Sequence, residues 1–267
     1  PTEVDKSGVK GPFKSGPSWS YVFDGNGDYI TVPSTSGAPF DFGTGTYTIE
    51  GWFKTTRAST FQGCFGISQG GNVNQKINFL HESDGTFKVD TGGTIRITSS
   101  VIDTLNKWVH FAIVREGTGA NQLKLYADGV LVGTGTDSAN YTSFTSNFIL
   151  GHNGELWPNA AGAFQGYISN FRVVKGSALY TSAFTPSTSP LTAISGTTYL
   201  TAQGSTFVDN SSLGQTVTVV GETYTDKRSP FYLDYNQDHS GNANDFETPN
   251  LTSADLRTDT PTNNFDT

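Results

Sequence analysis

Three short stretches carry oxygen and aromatic side chains at spacings that chemistry can use. In "FDGNGDYI", Asp24, Asn26 and Asp28 stand at alternate positions, the opening spacing of a calcium loop. Such a loop needs glycine sixth and a carboxylate twelfth, and counting from Asp24 those places hold Tyr29 and Thr35. The two glycines instead suit a tight hairpin, because they accept positive φ and let Tyr29 resume a strand. The second stretch, "DYNQDHSGNAND", places Asp234, Asn236, Asp238 and Asp245 first, third, fifth and twelfth, with Ser240 seventh to offer a carbonyl. His239 stands where glycine belongs, and Asp- and Asn-rich linkers often produce this pattern, so the four residues are a candidate Ca2+ set and no more. The third stretch, "GHNGELWPNAAG", sets Trp157 among His152, Asn153, Glu155 and Asn159. An indole face attracts sugar C–H groups while amides and carboxylates satisfy hydroxyls, so these five are the candidate glycan-binding residues. Trp157 has another reading, folded over a sheet edge or held in a subunit contact. Tyr141 and Phe144 in "SANYTSFTSN" carry the same two readings.

Nucleophilic catalysis has one formal match. "GISQG", from Gly66 to Gly70, fits the G-x-S-x-G elbow, which needs a strand, a sharp turn and then a helix to lift its serine. The next residues are "GNVNQKINF", and they read as loop and strand.

Bulk properties narrow the partners. The 267 residues carry a formal charge of −8, and the sixteen Lys and Arg form no run, so no nucleic-acid partner is expected. No apolar stretch approaches the roughly 18 residues of a membrane span, so no membrane insertion is expected. The single cysteine, Cys64, excludes an internal disulfide framework, and within "FQGCFGI" it reads as a small buried hydrophobe. The absence of methionine leads to the expectation of a fragment or a processed product.

The elements that must position these residues are strands. Gly, Thr, Ser and aromatic residues abound, charged residues are only 15%, and no window shows a helical stripe. Alternation picks out "SYVFD", "DYITVP", "TYTIEGWFK", "TFQGCFGI", "KINFLH", "TFKVD", "KWVHFAIVRE", "NQLKLYAD", "VLVGT", "NFILG" and "AFQGYISNFRVV". Asp-Gly pairs at 84–85 and 128–129 predict hairpins, and the sum is a sandwich of antiparallel sheets. "KWVHFAIV" reads as a central strand with His110 hydrogen-bonded in the interior, and "KGSALYTSAF" as the one place for a helical turn. Two more strand-like runs lie between Thr198 and Val220. Beyond Gly221 the scarcity of aliphatics predicts a segment with no core of its own.

The motifs "YVFDGNGDYITVP", "DFGTGTYTIEGWFKT", "KWVHFAIVREGTGANQLKLYADGVLVGT", "FILGHN" and "FQGYISNFRVVKGSALYTSAFTP" occur in an order and spacing that resemble the laminin-G-like branch of the concanavalin A-like lectin/glucanase superfamily. The resemblance covers about residues 19 to 190. It implies an all-β jelly roll with Trp52 and Trp108 in the core, and such domains often hold calcium at one rim. It divides the chain into an N-terminal linker (1–18), the sandwich (19–221) and an irregular arm or linker to a further module (222–267). Glucanases of this fold use E-x-D-x-E on one strand, whereas here Glu82 and Asp84 are followed by Thr86. The ending "SNFRVVKGSALYTSAFTPSTSPLTAISGTTYL" is similar to modules of marine bacteriophage proteins. The expectation is therefore a non-enzymatic virion surface module (fibre or capsid decoration), assembling with other virion proteins or with copies of itself as a homo-oligomer and attaching to host-surface polysaccharide. The alternatives are a carbohydrate-binding adhesin of a bacterial surface or secreted protein, and an unorthodox glycoside hydrolase.

Overall fold

The structure, a computed structural model, describes residues 19–33, 40–57, 59–69, 72–142, 147–153 and 162–231. Glu155, Trp157, Asn159, Phe144 and the Ca2+ candidates Asp234, Asn236, Asp238 and Asp245 lie outside the described residues.

Among the described residues the regular elements are all strands. In chain order they are β1 (Ser20–Asp24), β2 (Tyr29–Val32), β3 (Tyr47–Thr55), β4 (Gln62–Gln69) and β5 (Asn72–His81). Then come β6 (Phe87–Thr91), β7 (Thr94–Thr98), β8 (Val109–Arg115), β9 (Leu123–Ala127) and β10 (Val130–Gly135). The last are β11 (Phe148–Leu150), β12 (Gln165–Lys175), β13 (Thr197–Thr201), β14 (Thr218–Val220) and β15 (Tyr224–Asp226). They form two antiparallel sheets, the first ordered β10-β9-β8-β3-β12-β1-β15 with β13 also on β12, the second β14-β2-β11-β4-β5-β6-β7. This is the all-β sandwich expected from the alternation, and both Asp-Gly hairpins are present, joining β5 to β6 and β9 to β10.

Side chains alternate across each strand, so one face of each sheet enters the core. On β3, Tyr47, Ile49 and Phe53 face in; on β8, Val109, Phe111 and Ile113 do so. The interior is an aromatic mosaic in which Phe171 meets Phe65 at 5.3 Å, Phe148 at 5.4 Å and Tyr199 at 6.2 Å between ring centres. Cys64 is buried in the same cluster, and burial pushes its thiol pKa up. We expect Phe171→Ala to cost about 3–5 kcal/mol, the range for deleting a large core aromatic. Chemical denaturation of the two proteins measures it.

Five expectations are corrected. The Gly25-Asn26-Gly27 turn does not close a hairpin, because β1 and β2 belong to different sheets. Its glycines, at φ +80 and +86, bend the chain across the sandwich edge. Asp28 fixes that crossing: its carboxylate accepts the Asp24 N–H at 3.1 Å and the Glu222 N–H at 2.6 Å. Trp52 and Trp108 are not core residues, since both lie half-buried outside the core cluster. Position 52 is even on β3, and the even residues point away from the second sheet.

The segment after Lys175 makes no helical turn; it is an irregular strap over the outer face of the first sheet. Thr48 Oγ1 donates to Ser177 O at 2.9 Å, and the Phe184 N–H donates to Gly129 O at 3.0 Å. Strand β7 escaped the alternation reading because "TIRIT" is short and faces largely outward. The sandwich also does not stop at Gly221: β15 pairs with β1, and Phe231 is 2% exposed against Trp52. Residues 222–231 thus take their order from the sheet, and the expectation of an arm is left only for residues 232–267, outside the described residues.

Candidate functional site

Between β11 and β12 the described residues are 151–153 and 162–164, and these two ends meet at one rim of the sandwich. His152 is 2% exposed and Asn153 6%, so both are set into the protein and not presented to solvent. His152 pairs with Ala163 in an isolated antiparallel bridge, its Nδ1 lies 2.8 Å from Asn153 O, and its ring meets Tyr29 edge-on at 6.2 Å. Strand β4 runs against this root so closely that a Cβ on Gly63 would come within 2.0 Å of the Asn153 nitrogen. Glycine is required there by space, not by φ. The Gly63 N–H donates to Gly162 O at 2.9 Å, which ties the two ends of the loop to one strand.

Gln62 holds the neighbouring turn. Its Oε1 accepts the Gln165 N–H at 2.8 Å, and its Nε2 donates to Arg57 O at 3.0 Å and lies 3.2 Å from His81 Nδ1. Burial lowers the His81 pKa, which keeps the ring neutral and able to accept. The Arg57 guanidinium donates from Nη2 to Ala163 O at 2.7 Å. Two polar atoms at this rim are buried without a partner among the described residues, Asn153 Oδ1 and Arg57 Nε. Sequence reading found His152 and Asn153 as neighbours of Trp157, yet missed Arg57, Gln62 and His81, which lie far from them in sequence.

Two buried charge clusters stabilise other parts of the sandwich. Under the strap, Glu50 is 1% exposed; its Oε1 accepts from Arg172 Nε at 2.9 Å, and its Oε2 lies 3.2 Å from His110 Nε2 and accepts from Tyr180 OH at 2.8 Å. Burial works to raise the Glu50 pKa, but the His110 hydrogen bond and the charge of Arg172 outweigh it and hold the carboxyl below the usual glutamate range. Elsewhere Arg115 is wholly buried; it donates to Gly43 O, Gly45 O and Ala139 O at 2.7, 2.8 and 2.9 Å and pairs with Asp137 at 3.3 Å. Tyr141 donates to the same Asp137 carboxylate at 2.9 Å and is buried, so it braces a loop and offers no sugar platform.

Neither catalytic pattern is assembled. The backbone of "GISQ" runs inside β4, paired with β5, with no helix after it. Glu82 pairs with Lys88 at 3.1 Å, while Asp84 at the exposed hairpin tip accepts from Thr86 Oγ1 at 2.7 Å. Asp24, Asn26 and Asp28 do not form a cation site: Asp24 Oδ1 accepts the Asn26 N–H at 2.6 Å, and Asp28 holds the crossing. Among the described residues no three His, Cys, Asp or Glu gather where they could hold a metal ion, and no helix is long and apolar enough to cross a membrane.

The fold recurs in known structures. No curated protein sequence matches the chain. A Bacteroides ovatus protein proposed to bind carbohydrate superposes with a TM-score of 0.55 at 14% identity, covering 78% of this chain and 59% of its own. This chain therefore spans a little under two thirds of that protein. The heptameric SAP-like pentraxin of Limulus polyphemus gives a TM-score of 0.53 at 12% identity, covering 78% of this chain and 94% of its own. At these identities the likeness is one of fold. A family profile matches residues 24–182, more than half the length and most of both sheets, and the chain belongs to the concanavalin A-like lectin/glucanases superfamily.

Proposed function

We propose that this domain is a non-catalytic carbohydrate-binding module of a bacterial surface or secreted protein, with its sugar contacts on the loop 152–161. The observation that carries the reading is the root of that segment: His152 and Asn153 are buried, Gly63 approaches Asn153 closely, and the ends at 152 and 163 are bridged at one rim. His152 and Asn153 position the loop, and Glu155, Trp157 and Asn159 supply the contacts. The superfamily and the carbohydrate binding proposed for the Bacteroides ovatus protein support the ligand class.

The test is a glycan array probed with the wild-type domain and with Trp157→Ala. We expect wild-type binding with dissociation constants on the order of 0.1–1 mM, raised in avidity where copies associate. Trp157→Ala should lose that binding with its melting temperature unchanged. Silence of the wild type across the array removes the carbohydrate reading, and retained binding in the variant removes Trp157 from it. The Ca2+ proposal for Asp234, Asn236, Asp238 and Asp245 has its own check: calorimetric titration with Ca2+ should give a heat that Asp234→Asn abolishes.

Placement on a virion rests on the ending "NFRVVKGSALYTSAFTP". Much of that segment has a structural task in this chain, since Arg172, Tyr180 and Phe184 cover the outer face of the first sheet around Glu50. The bacterial surface reading accordingly stands first.

A further inference from the structure

Three of the four tryptophans, Trp19, Trp52 and Trp108, are half-buried and none joins the core. Register explains a row beside them on the outer face of the first sheet. Tyr167 on β12 pairs with Lys54 on β3 and with Val22 on β1, and Val22 pairs with Tyr224 on β15. Directly paired residues share a face, and Trp108 stands one residue before Val109, the partner of Phe53. The row therefore runs from Trp108 across Lys54, Tyr167 and Val22 to Tyr224; its middle is buried, with Lys54 6% and Tyr167 and Val22 each 7% exposed, whereas Tyr224 is 53% exposed. From β8 to β15 it crosses four strand spacings, about 19 Å, with the exposed Arg228 laid over its buried middle.

Cations are laid on these rings. Arg228 stacks over Tyr167 at 5.4 Å and donates to its hydroxyl, Lys54 Nζ lies 5.7 Å from the same ring, and Lys227 Nζ lies 5.9 Å from Trp19. Lys227 and Arg228 are exposed. Asp226 stands 3.9 Å from Arg228, and Asp24 is exposed on the neighbouring strand, so the surface is not uniformly basic. Of the three cations, Lys227 and Arg228 are accessible, whereas Lys54 is buried. Aromatic faces bind the C–H side of sugars, and cations held in place by stacking meet carboxylate or sulfate without first being ordered.

We propose that this outer face, around Trp108, Tyr224, Lys227 and Arg228, binds an anionic polysaccharide. The proposal rests on the carbohydrate-binding reading for its ligand class but uses none of the residues of the loop 152–161, so the two fail separately. The test is affinity electrophoresis of the full chain through gels containing polygalacturonate, dextran sulfate or neutral dextran. We expect retardation by an acidic polymer and not by dextran, relieved by salt. Lys227→Gln, at an exposed position, should weaken it about fivefold with the melting temperature unchanged. Trp108→Ala should weaken it as well, and Trp157→Ala should leave it unchanged. Retardation by polygalacturonate assigns a carboxylate as the anion, and retardation by dextran sulfate alone assigns a sulfate. Retardation by neither acidic polymer, equal retardation by dextran, wild-type behaviour of Lys227→Gln, or loss in Trp157→Ala overturns the proposal.

Discussion

Glu50→Ala is expected to destabilise the domain by about 3–5 kcal/mol, because removing one member of a buried ion pair leaves its partners stranded. Arg172, His110 and Tyr180 all direct polar atoms at this carboxylate, and the strap closes over them. Without it, a guanidinium is left buried with no acid beside it. Glu50→Gln, which keeps the shape and an acceptor, should lose less. The same group gives the stability a sign with pH. The folded-state pKa of Glu50 is depressed, so its contribution is present above the ordinary glutamate value and is lost as pH falls through the folded value. Melting temperatures between pH 7 and pH 3 should therefore fall on the acid side in the wild type and fall less in Glu50→Gln. A variant with the wild-type acid slope would show that other carboxylates govern it.

The second large effect concerns where the domain ends. A chain stopped at Gly221 loses β15, the Glu222 N–H that Asp28 accepts, and the buried ring of Phe231. Loss of that ring alone has the scale of a core aromatic deletion, about 3 kcal/mol or more. A chain stopped at Tyr232 should melt as the full chain does, whereas one stopped at Gly221 should melt well below it or fail to fold. Equal melting of the two truncations would return residues 222–231 to the arm.

That boundary shows what sequence reading could reach. "TYTIEGWFK" and "KWVHFAIVRE" announce β3 and β8 because alternation is local, with period two within one strand. "YTD" carries too few residues to alternate, and its place is set by β1, some 200 residues earlier, whose free side it pairs with. Trp52 was legible as a strand residue, but its face was not. Facing depends on which neighbours cover the outer side, and there Phe231 and His110 pack against it. At the rim, His152 and Asn153 were found through their nearness to Trp157, while Arg57, Gln62 and His81 had no sequence signal, because the pairing of β4 with β5 sets Gln62 opposite His81 and a side-chain hydrogen bond joins Gln62 to Arg57.

By itself the sequence determined the class, an antiparallel all-β sandwich, through composition, alternation and the Asp-Gly turns. It also excluded a disulfide framework. Tertiary structure decided the rest: the split of β1 and β2 between two sheets, the strap over Glu50, and the burial of His152 and Asn153. The physical reason is range. Side-chain alternation is written in neighbouring residues, whereas the choice of pairing partner and of covered face depends on segments far apart in sequence, such as Glu50 and Arg172, 122 positions apart.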